Sequence, residues 1–99
     1  IPIDERAASL LTPEAGDLLA QVHRDLVALD SWTVESTEAA VRAIAESREL
    51  GLGKLAQPLR AAVTGSTTSP GIFEVLEQLG REESLGRIAD AIELAKGKQ

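Results

Sequence analysis

The chain contains no cysteine, and this absence excludes disulfide bonds, thiolate metal sites and cysteine nucleophiles. Aromatic side chains are nearly missing as well: Trp32 and Phe73 are the two present, which disfavours a base-stacking platform of the single-strand-binding kind. No run of about 18 apolar residues occurs, so we expect no membrane-spanning segment and no membrane partner. Methionine is also absent and the chain begins with Ile1, which favours a segment of a longer protein.

Groups of side chains that carry out chemistry are missing too. The single histidine, His23, has no partner for a histidine metal cluster, and an ordinary boundary position on an acidic helix explains it. Residues 51–54 read Gly-Leu-Gly-Lys, but they lack the spacing of a phosphate loop and follow no strand. The acidic pair Glu82 and Glu83 lies at a helix start, where the helix dipole stabilises carboxylates. We therefore expect no catalytic residue, metal site or cofactor in this chain.

What the chain has in abundance is alanine and leucine, with 15 and 14 residues against 12 for valine and isoleucine together. Alanine and leucine lose little side-chain entropy in a helix, so this balance favours helices. Apolar residues make up 43% and charged residues 26% of the sequence, as in an ordinary soluble domain. We expect one domain over residues 1–99.

Charge is unevenly distributed along the chain. The formal net charge is −6, which argues against a general nucleic-acid binder because affinity for phosphates needs a basic surface. However, residues 50–73 contain no aspartate or glutamate, and Lys54 and Arg60 are their only basic residues. This stretch is either a face that meets an anion or a tightly packed helix–loop–helix, and composition alone favours the second interpretation.

Apolar spacing and capping residues predict an all-α fold, a compact helical bundle or cage of about five helices. Thr12-Pro13 and Thr33 are predicted to cap the first two helices, and glycines after residue 50 to end the second. Pro58 is placed in a first turn, and Ser69-Pro70 is predicted to start the fourth helix. Residues 1–11 are weakly patterned, and their order is left open. The predicted helices span residues 13–29, 34–49, 54–64, 70–79 and 81–95.

Apolar spacing also predicts which face of each helix is buried. Glu35 is placed in the first turn after Thr33, and Trp32 is expected to pack at the entry of that helix. The predicted inward residues of the first, second, third and fifth helices are Leu18, Leu19, Val22, Leu26, Leu29, Thr37, Val41, Ile44, Ala45, Leu55, Leu59, Ala62, Val63, Leu85, Ile88, Ala89, Ile92 and Ala95.

Residues 53–65 change this picture, because they read G-K-L-A-Q-P-L-R-A-A-V-T-G. This segment closely resembles the G-K-x-x-Q-P-L-R-x-A-L-T-G signature in the anticodon-binding region of bacterial glutamyl-tRNA synthetases. The similarity continues through residues 69–76, 79–83 and 85–88, and Trp32-Thr33 before a helix also fits the family. The resemblance covers residues 32–95 at motif level, while residues 1–31 share only a helical pattern.

The resemblance implies a C-terminal, all-helical subdomain of a class I aminoacyl-tRNA synthetase. The parent would be a cytoplasmic ligase that joins glutamate to tRNA(Glu) with ATP and magnesium on a separate domain. The partners of this segment would then be the tRNA(Glu) anticodon loop and the rest of the synthetase. In this family, an arginine that reads the first anticodon base would lie upstream of the present segment. Because the sequence does not include that position, a parent that also charges tRNA(Gln) stays an alternative.

Arg60 is the first residue that this resemblance places against the anticodon. The planar fork of N–H donors on arginine matches the O2 and N3 acceptors of cytosine, whereas uracil carries an N–H at N3. We therefore predict that Arg60 contributes to the choice of cytosine at the third anticodon position. The structural alternative is an arginine that binds carbonyl groups at a helix end.

The second predicted contact is the turn formed by Ser69, Pro70, Gly71 and Ile72. The resemblance carries Ser69, Pro70 and Ile72 onto positions that touch the second and third anticodon bases. A helix start exposes backbone N–H groups, and glycine lets a base come close. Ile72 would supply apolar contact to an unstacked base. The alternative is a plain helix cap, and both roles are compatible.

Other basic residues are weaker candidates. Arg42 and Lys54 are predicted phosphate contacts, whereas Arg81 and Arg87 are equally explained by pairing with glutamates on their own helices. Two further functions stay open: a helical protein-interaction module that binds through the acid-free face, and a structural segment that packs on its parent. With a net charge of −6, the isolated chain is expected to bind tRNA weakly, and better at low salt.

Overall fold

The computed structural model describes residues 3–68 and 70–97, and these residues form α-helices and no β-strand. The predicted all-α class is confirmed, and about five helices is close to the six that are observed. Within the described ranges, no helix is long and apolar enough to cross a membrane. The helices are α1 Glu5–Leu10, α2 Pro13–Val27, α3 Val34–Ser47, α4 Leu52–Thr64, α5 Ile72–Leu79 and α6 Arg81–Lys96.

The longest helices, α2 and α6, make the most extensive contact between described helices. Near one end, a Cβ atom added to Gly16 would lie 2.9 Å from the Cβ of Ala95. At the other end, the guanidinium of Arg81 donates to the carbonyls of Leu26 and Val27, both at 3.5 Å. The two helices are therefore antiparallel, and small side chains let their backbones come close.

The inward faces predicted for three helices are largely confirmed, although Leu18 and Leu29 at the edges of the first are only half-buried. In α6 the prediction was partly wrong: Ile88 and Ala95 are buried as predicted, but Leu85, Ala89 and Ile92 are half-buried. Ser84 and Ala91 are buried instead. Close packing on α2 favours a narrow strip of small residues there. The buried residues of α2, α3 and α4 that were predicted are Leu19, Val22, Leu26, Thr37, Val41, Ile44, Ala45, Leu55, Leu59, Ala62 and Val63.

Two predicted helix starts are confirmed in detail. The Thr12 hydroxyl accepts from the Ala15 N–H at 3.2 Å, and Pro13 occupies the first turn. Thr33 and Ser36 form a reciprocal capping box, with side-chain-to-backbone distances of 3.0 and 2.9 Å. Local sequence is sufficient to predict both helix starts, because each cap involves residues that are at most three positions apart.

The end of α3 differs from the prediction, since the helix stops at Ser47 and glycine plays no part. Glu49 adopts the left-handed conformation with φ of 56°. The Leu50 N–H donates to the Ala45 carbonyl at 2.8 Å, and the Glu49 N–H donates to the Glu46 carbonyl at 3.1 Å. This is the hydrogen-bond pattern of a Schellman turn, with glutamate where glycine is usual.

Two helix starts were predicted wrongly. α4 begins at Leu52, so Pro58 lies inside the helix and is buried rather than in the first turn. Burial of Pro58 in the core offsets the backbone hydrogen bond that a proline cannot donate. α5 begins at Ile72 with Gly71 as its N-cap, so Pro70 precedes the helix instead of starting it. The side chains of Ile72 and Phe73 are buried, and their packing sets where this helix begins.

The N-terminal residues, whose order the sequence left open, form a short helix. The Asp4 carboxylate caps α1 by accepting from the Ala7 N–H at 2.7 Å. The Asp4 N–H donates to the Gly65 carbonyl at 2.9 Å, and Ala7 and Leu11 are fully buried. α1 is thereby tied to the C-terminal end of α4.

Trp32 joins the α2–α3 connection to α5. Its indole N–H donates to the Leu76 carbonyl at 2.7 Å, and the same oxygen accepts from the Gly80 N–H at 3.0 Å and the Ser84 hydroxyl at 3.3 Å. Arg81 lies over the indole ring, 5.3 Å from its centroid. Trp32 therefore packs at a helix entry, as the sequence favoured, and Arg81 contacts it rather than a glutamate.

Candidate nucleic-acid interface

Arg60 lies one turn before the C-terminal end of α4 and is half-buried. Its own carbonyl accepts from the Thr64 hydroxyl at 2.7 Å. The helix then ends at Gly65, whose left-handed φ of 72° lets its N–H donate to the Ala61 carbonyl at 3.0 Å. Glycine adopts this positive φ without strain, and the chain turns one helical turn after the predicted reading arginine.

Hydroxyl groups hold the loop that follows α4. The Thr64 hydroxyl accepts from the Ser66 N–H at 3.1 Å, and the Ser66 hydroxyl accepts from the Thr68 N–H at 3.2 Å. The Ser66 and Thr68 side chains also contact each other at 3.4 Å. Short polar side chains thus satisfy backbone groups that no regular element serves here. This arrangement gives residues 65–68 a defined path beyond the end of α4.

The start of α5 contains the other predicted contact residues. Pro70 and Gly71 are exposed, whereas the side chain of Ile72 is 4% exposed and packs in the core. The apolar contact that the sequence suggested for Ile72 is therefore not available to its side chain in this fold. Within the described residues no side chain caps this helix start, so its first-turn N–H groups are the donors it presents. Ser69 lies outside the described residues.

Glu74 occupies the first turn of α5 and modifies this helix start. Its Oε1 atom lies 3.1 Å from the position that a Cβ atom would take at Gly71. The carboxylate is thus folded back toward the exposed N-cap, where it complements the helix dipole. Gly71 leaves room for this carboxylate, and an added phosphate would meet a negative charge there.

The predicted phosphate contacts, Arg42 and Lys54, lie on α3 and in the first turn of α4, outside the loop that follows α4. Arg42 on α3 is exposed and pairs with Glu38, with an Nη2–Oε2 distance of 2.8 Å. Lys54 is in the first turn of α4, about 9 Å along the helix from Arg60. Lys54 lines a groove of about 440 Å³ between α1, α2 and the start of α4, together with Glu14. Lys54 therefore lies at the end of α4 opposite to the loop that follows Thr64.

Sequence reasoning missed two contacts that hold the end of α4. Arg87 on α6 donates through Nη1 to the Val63 carbonyl at 2.7 Å and through Nε to Glu83 at 2.7 Å. The pairing with Glu83 was predicted, since the two residues are one turn apart. The bond to Val63 joins residues 24 positions apart, and the bond from Asp4 to Gly65 joins residues still more distant. Neither has a local sequence pattern that would reveal it.

Metal binding finds no support in the described ranges, where no group of three or more His, Asp or Glu side chains is placed to hold an ion. His23 is half-buried on α2, in agreement with the boundary position expected for it. The arrangement around the loop offers hydrogen-bond donors and a positive side chain.

Comparison with known proteins identifies relatives of the whole chain. A family model described as "Anticodon binding domain" matches residues 1–92. The chain is 59% identical over 90 residues to a protein of Bradyrhizobium sp. (strain ORS 278) named glutamate–tRNA ligase, covering 91% of this chain and 19% of that protein. It is 58% identical over 92 residues to glutamate–tRNA ligase 1 of Brucella melitensis, covering 93% of this chain and 20% of the relative.

A solved structure has the same fold. The crystal structure of a glutamate tRNA ligase from Elizabethkingia meningosepticum in complex with its amino acid matches with a TM-score of 0.85 and 31% identity. The match covers 93% of this chain and 18% of that chain. The chain therefore spans about a fifth of the length of the relatives that it resembles.

Proposed function

Because the chain belongs to the family of anticodon-binding domains, we propose that it reads the anticodon loop of tRNA(Glu) within a glutamate–tRNA ligase. The observation that carries this proposal is the family match over residues 1–92, supported by relatives that bear the name of that ligase. We propose that the remainder of the parent protein joins glutamate to the tRNA in the cytoplasm with ATP and magnesium, while this chain supplies recognition.

Arg60 is the proposed reader of the third anticodon base. Glutamate codons begin with guanine, so the third anticodon base of tRNA(Glu) is cytosine. Two guanidinium N–H groups match the O2 and N3 acceptors of cytosine, whereas the N3–H of uracil would oppose one of them. The partial burial of Arg60 limits the orientations of its side chain, and Gly65 turns the chain away beyond it.

The start of α5 is the proposed second contact, through its backbone. Gly71 has no side chain to keep a base away, and the buried side chain of Ile72 fixes the backbone that carries the N–H groups. The carboxylate of Glu74 beside Gly71 makes this helix start better suited to the neutral edge of a base than to a phosphate. Pro70 and Ser69 belong to this proposal through the resemblance alone.

Phosphate binding is assigned to Lys54 and, with less support, to Arg42. Lys54 is exposed in a stretch free of acidic residues, although Glu14 lines the same groove. Arg42 would have to leave its ion pair with Glu38. Such contacts position a nucleic acid without selecting its bases.

The experiment is aminoacylation by the full-length parent carrying Arg60→Ala. We expect kcat/KM for tRNA(Glu) with its native cytosine to fall toward the value for a uracil variant, a loss of about 1–3 kcal/mol in discrimination at that position. Arg24→Ala, which removes an exposed arginine from α2, serves as the matched control and should leave discrimination unchanged. Lys54→Ala should weaken both tRNAs equally. A folded Arg60→Ala enzyme with native discrimination would reject this role for Arg60.

A further inference from the structure

The C-terminal turn of α4 is held from outside the helix. The last four carbonyls of an α-helix have no partner within it, and here these belong to residues 61–64. The Ala61 carbonyl accepts from the Gly65 N–H at 3.0 Å, a local hydrogen bond that is common at the C-terminal end of a helix. The Val63 carbonyl accepts instead from the guanidinium of Arg87 on α6, at 2.7 Å.

Arg87 is itself fixed in place. Its side chain is 24% exposed, and Nε donates to the Glu83 carboxylate at 2.7 Å while Nη1 reaches Val63. Two different nitrogens of the planar guanidinium thus bind two partners, Glu83 on α6 and Val63 on α4. A lysine has a single nitrogen on a flexible stem and does not reproduce this geometry.

We propose that Arg87 is a positioning residue for anticodon reading. This inference rests on the function proposed for Arg60. Arg87 holds the Val63 carbonyl, three residues after Arg60, and so fixes the turn of α4 from which the reading side chain projects. Its contact is with protein alone, and its effect on the tRNA is exerted through Arg60.

A second hydrogen bond to the C-terminal end of α4 makes this proposal testable in a folded protein. The Asp4 N–H holds the Gly65 carbonyl at 2.9 Å from the other side of the same helix end. Loss of Arg87 therefore leaves α4 attached to α1, while the hydrogen bond from α6 to the end of α4 is lost. We expect the helix end to shift rather than to unfold.

The test uses the full-length parent with Arg87→Met and Arg87→Lys, and tRNA(Glu) carrying cytosine or uracil at the third anticodon position. We expect Arg87→Met to reduce the ratio of the two kcat/KM values about tenfold, since small displacements of a positioned group have large effects on rate. Arg87→Lys should recover part of the ratio by binding the Val63 carbonyl alone. If Arg87→Met does not fold, the Lys variant decides alone, and an unchanged ratio there refutes the proposal.

The control separates positioning from stability. Thr12→Ala removes the cap hydrogen bond to the Ala15 N–H at the start of α2 and removes no hydrogen bond of α4 or α5. It should lower the melting temperature without changing the ratio, whereas Arg87→Met should change both. A ratio that follows the melting temperature in both variants would show that the role of Arg87 is structural only.

The double variant identifies the route of the effect. If Arg87 acts through Arg60, Arg60→Ala with Arg87→Met should have the same ratio as Arg60→Ala alone. Additive losses would refute action through Arg60. A change with Arg60→Ala but none with Arg87→Met rejects the positioning role and leaves the reading role of Arg60 standing, whereas no change in either variant rejects the reading role proposed for Arg60.

Discussion

Two glycines in long helices should respond oppositely to the same substitution. Alanine is favoured over glycine in a helix by about 1 kcal/mol. At Gly86 on α6 no atom lies within 4 Å of the new Cβ, so Gly86→Ala should gain this amount. At Gly16 the new Cβ would lie 2.9 Å from the Cβ of Ala95, well inside the usual carbon–carbon separation of about 3.5–4.0 Å. Overpacking of this kind costs about 1–3 kcal/mol, so Gly16→Ala should be destabilising by about 1 kcal/mol.

Urea unfolding of the chain measures both effects as shifts of the transition midpoint at constant slope. We expect the two alanine variants to differ by about 2 kcal/mol, or about 8–16 °C in melting temperature for a domain of this size. Adding Ala95→Gly to Gly16→Ala should recover part of the loss, because it removes the atom that the new methyl group meets. Stabilisation by Gly16→Ala equal to that by Gly86→Ala would refute the close approach of α2 and α6.

Two further predictions concern single backbone positions. Glu49→Gly should stabilise the chain by about 1 kcal/mol, because Glu49 has a φ of 56° that glycine adopts without strain, and urea unfolding measures the gain. Glu46→Gly, the same change within α3, should instead destabilise by about 1 kcal/mol, and a gain there would contradict the argument. Trp32→Phe should destabilise by about 0.5–1.5 kcal/mol, because the Leu76 carbonyl loses its indole donor but keeps the Gly80 N–H and the Ser84 hydroxyl. Unchanged urea stability would show that this bond contributes nothing.

Local patterns predicted the helices whose ends are set by neighbouring residues. Thr12 with Pro13 and Thr33 with Glu35 were sufficient because a cap acts over one turn. Prediction failed where distant packing decides. Pro58 reads as a first-turn proline, but the helix continues before it because its ring is buried in the core.

The candidate site was predicted unevenly for the same reason. Arg60 and the residues near Gly71 were found by resemblance, and their roles stay predictions. The burial of Ile72 follows from the apolar spacing of α5, yet the sequence alone did not decide between a core position and a contact with a base. The bond from Arg87 to Val63 depends on how α6 lies against α4, which no local spacing encodes.

The Leu76 carbonyl has a consequence for how α5 moves. Three donors from different parts of the chain converge on that one oxygen: the Trp32 indole, the Gly80 amide and the Ser84 hydroxyl. Local opening of α5 would break all three bonds together, so we expect this short helix to exchange its amide protons only when the domain unfolds globally. If the start of α5 binds the anticodon as proposed, it would then lose little further conformational entropy on association.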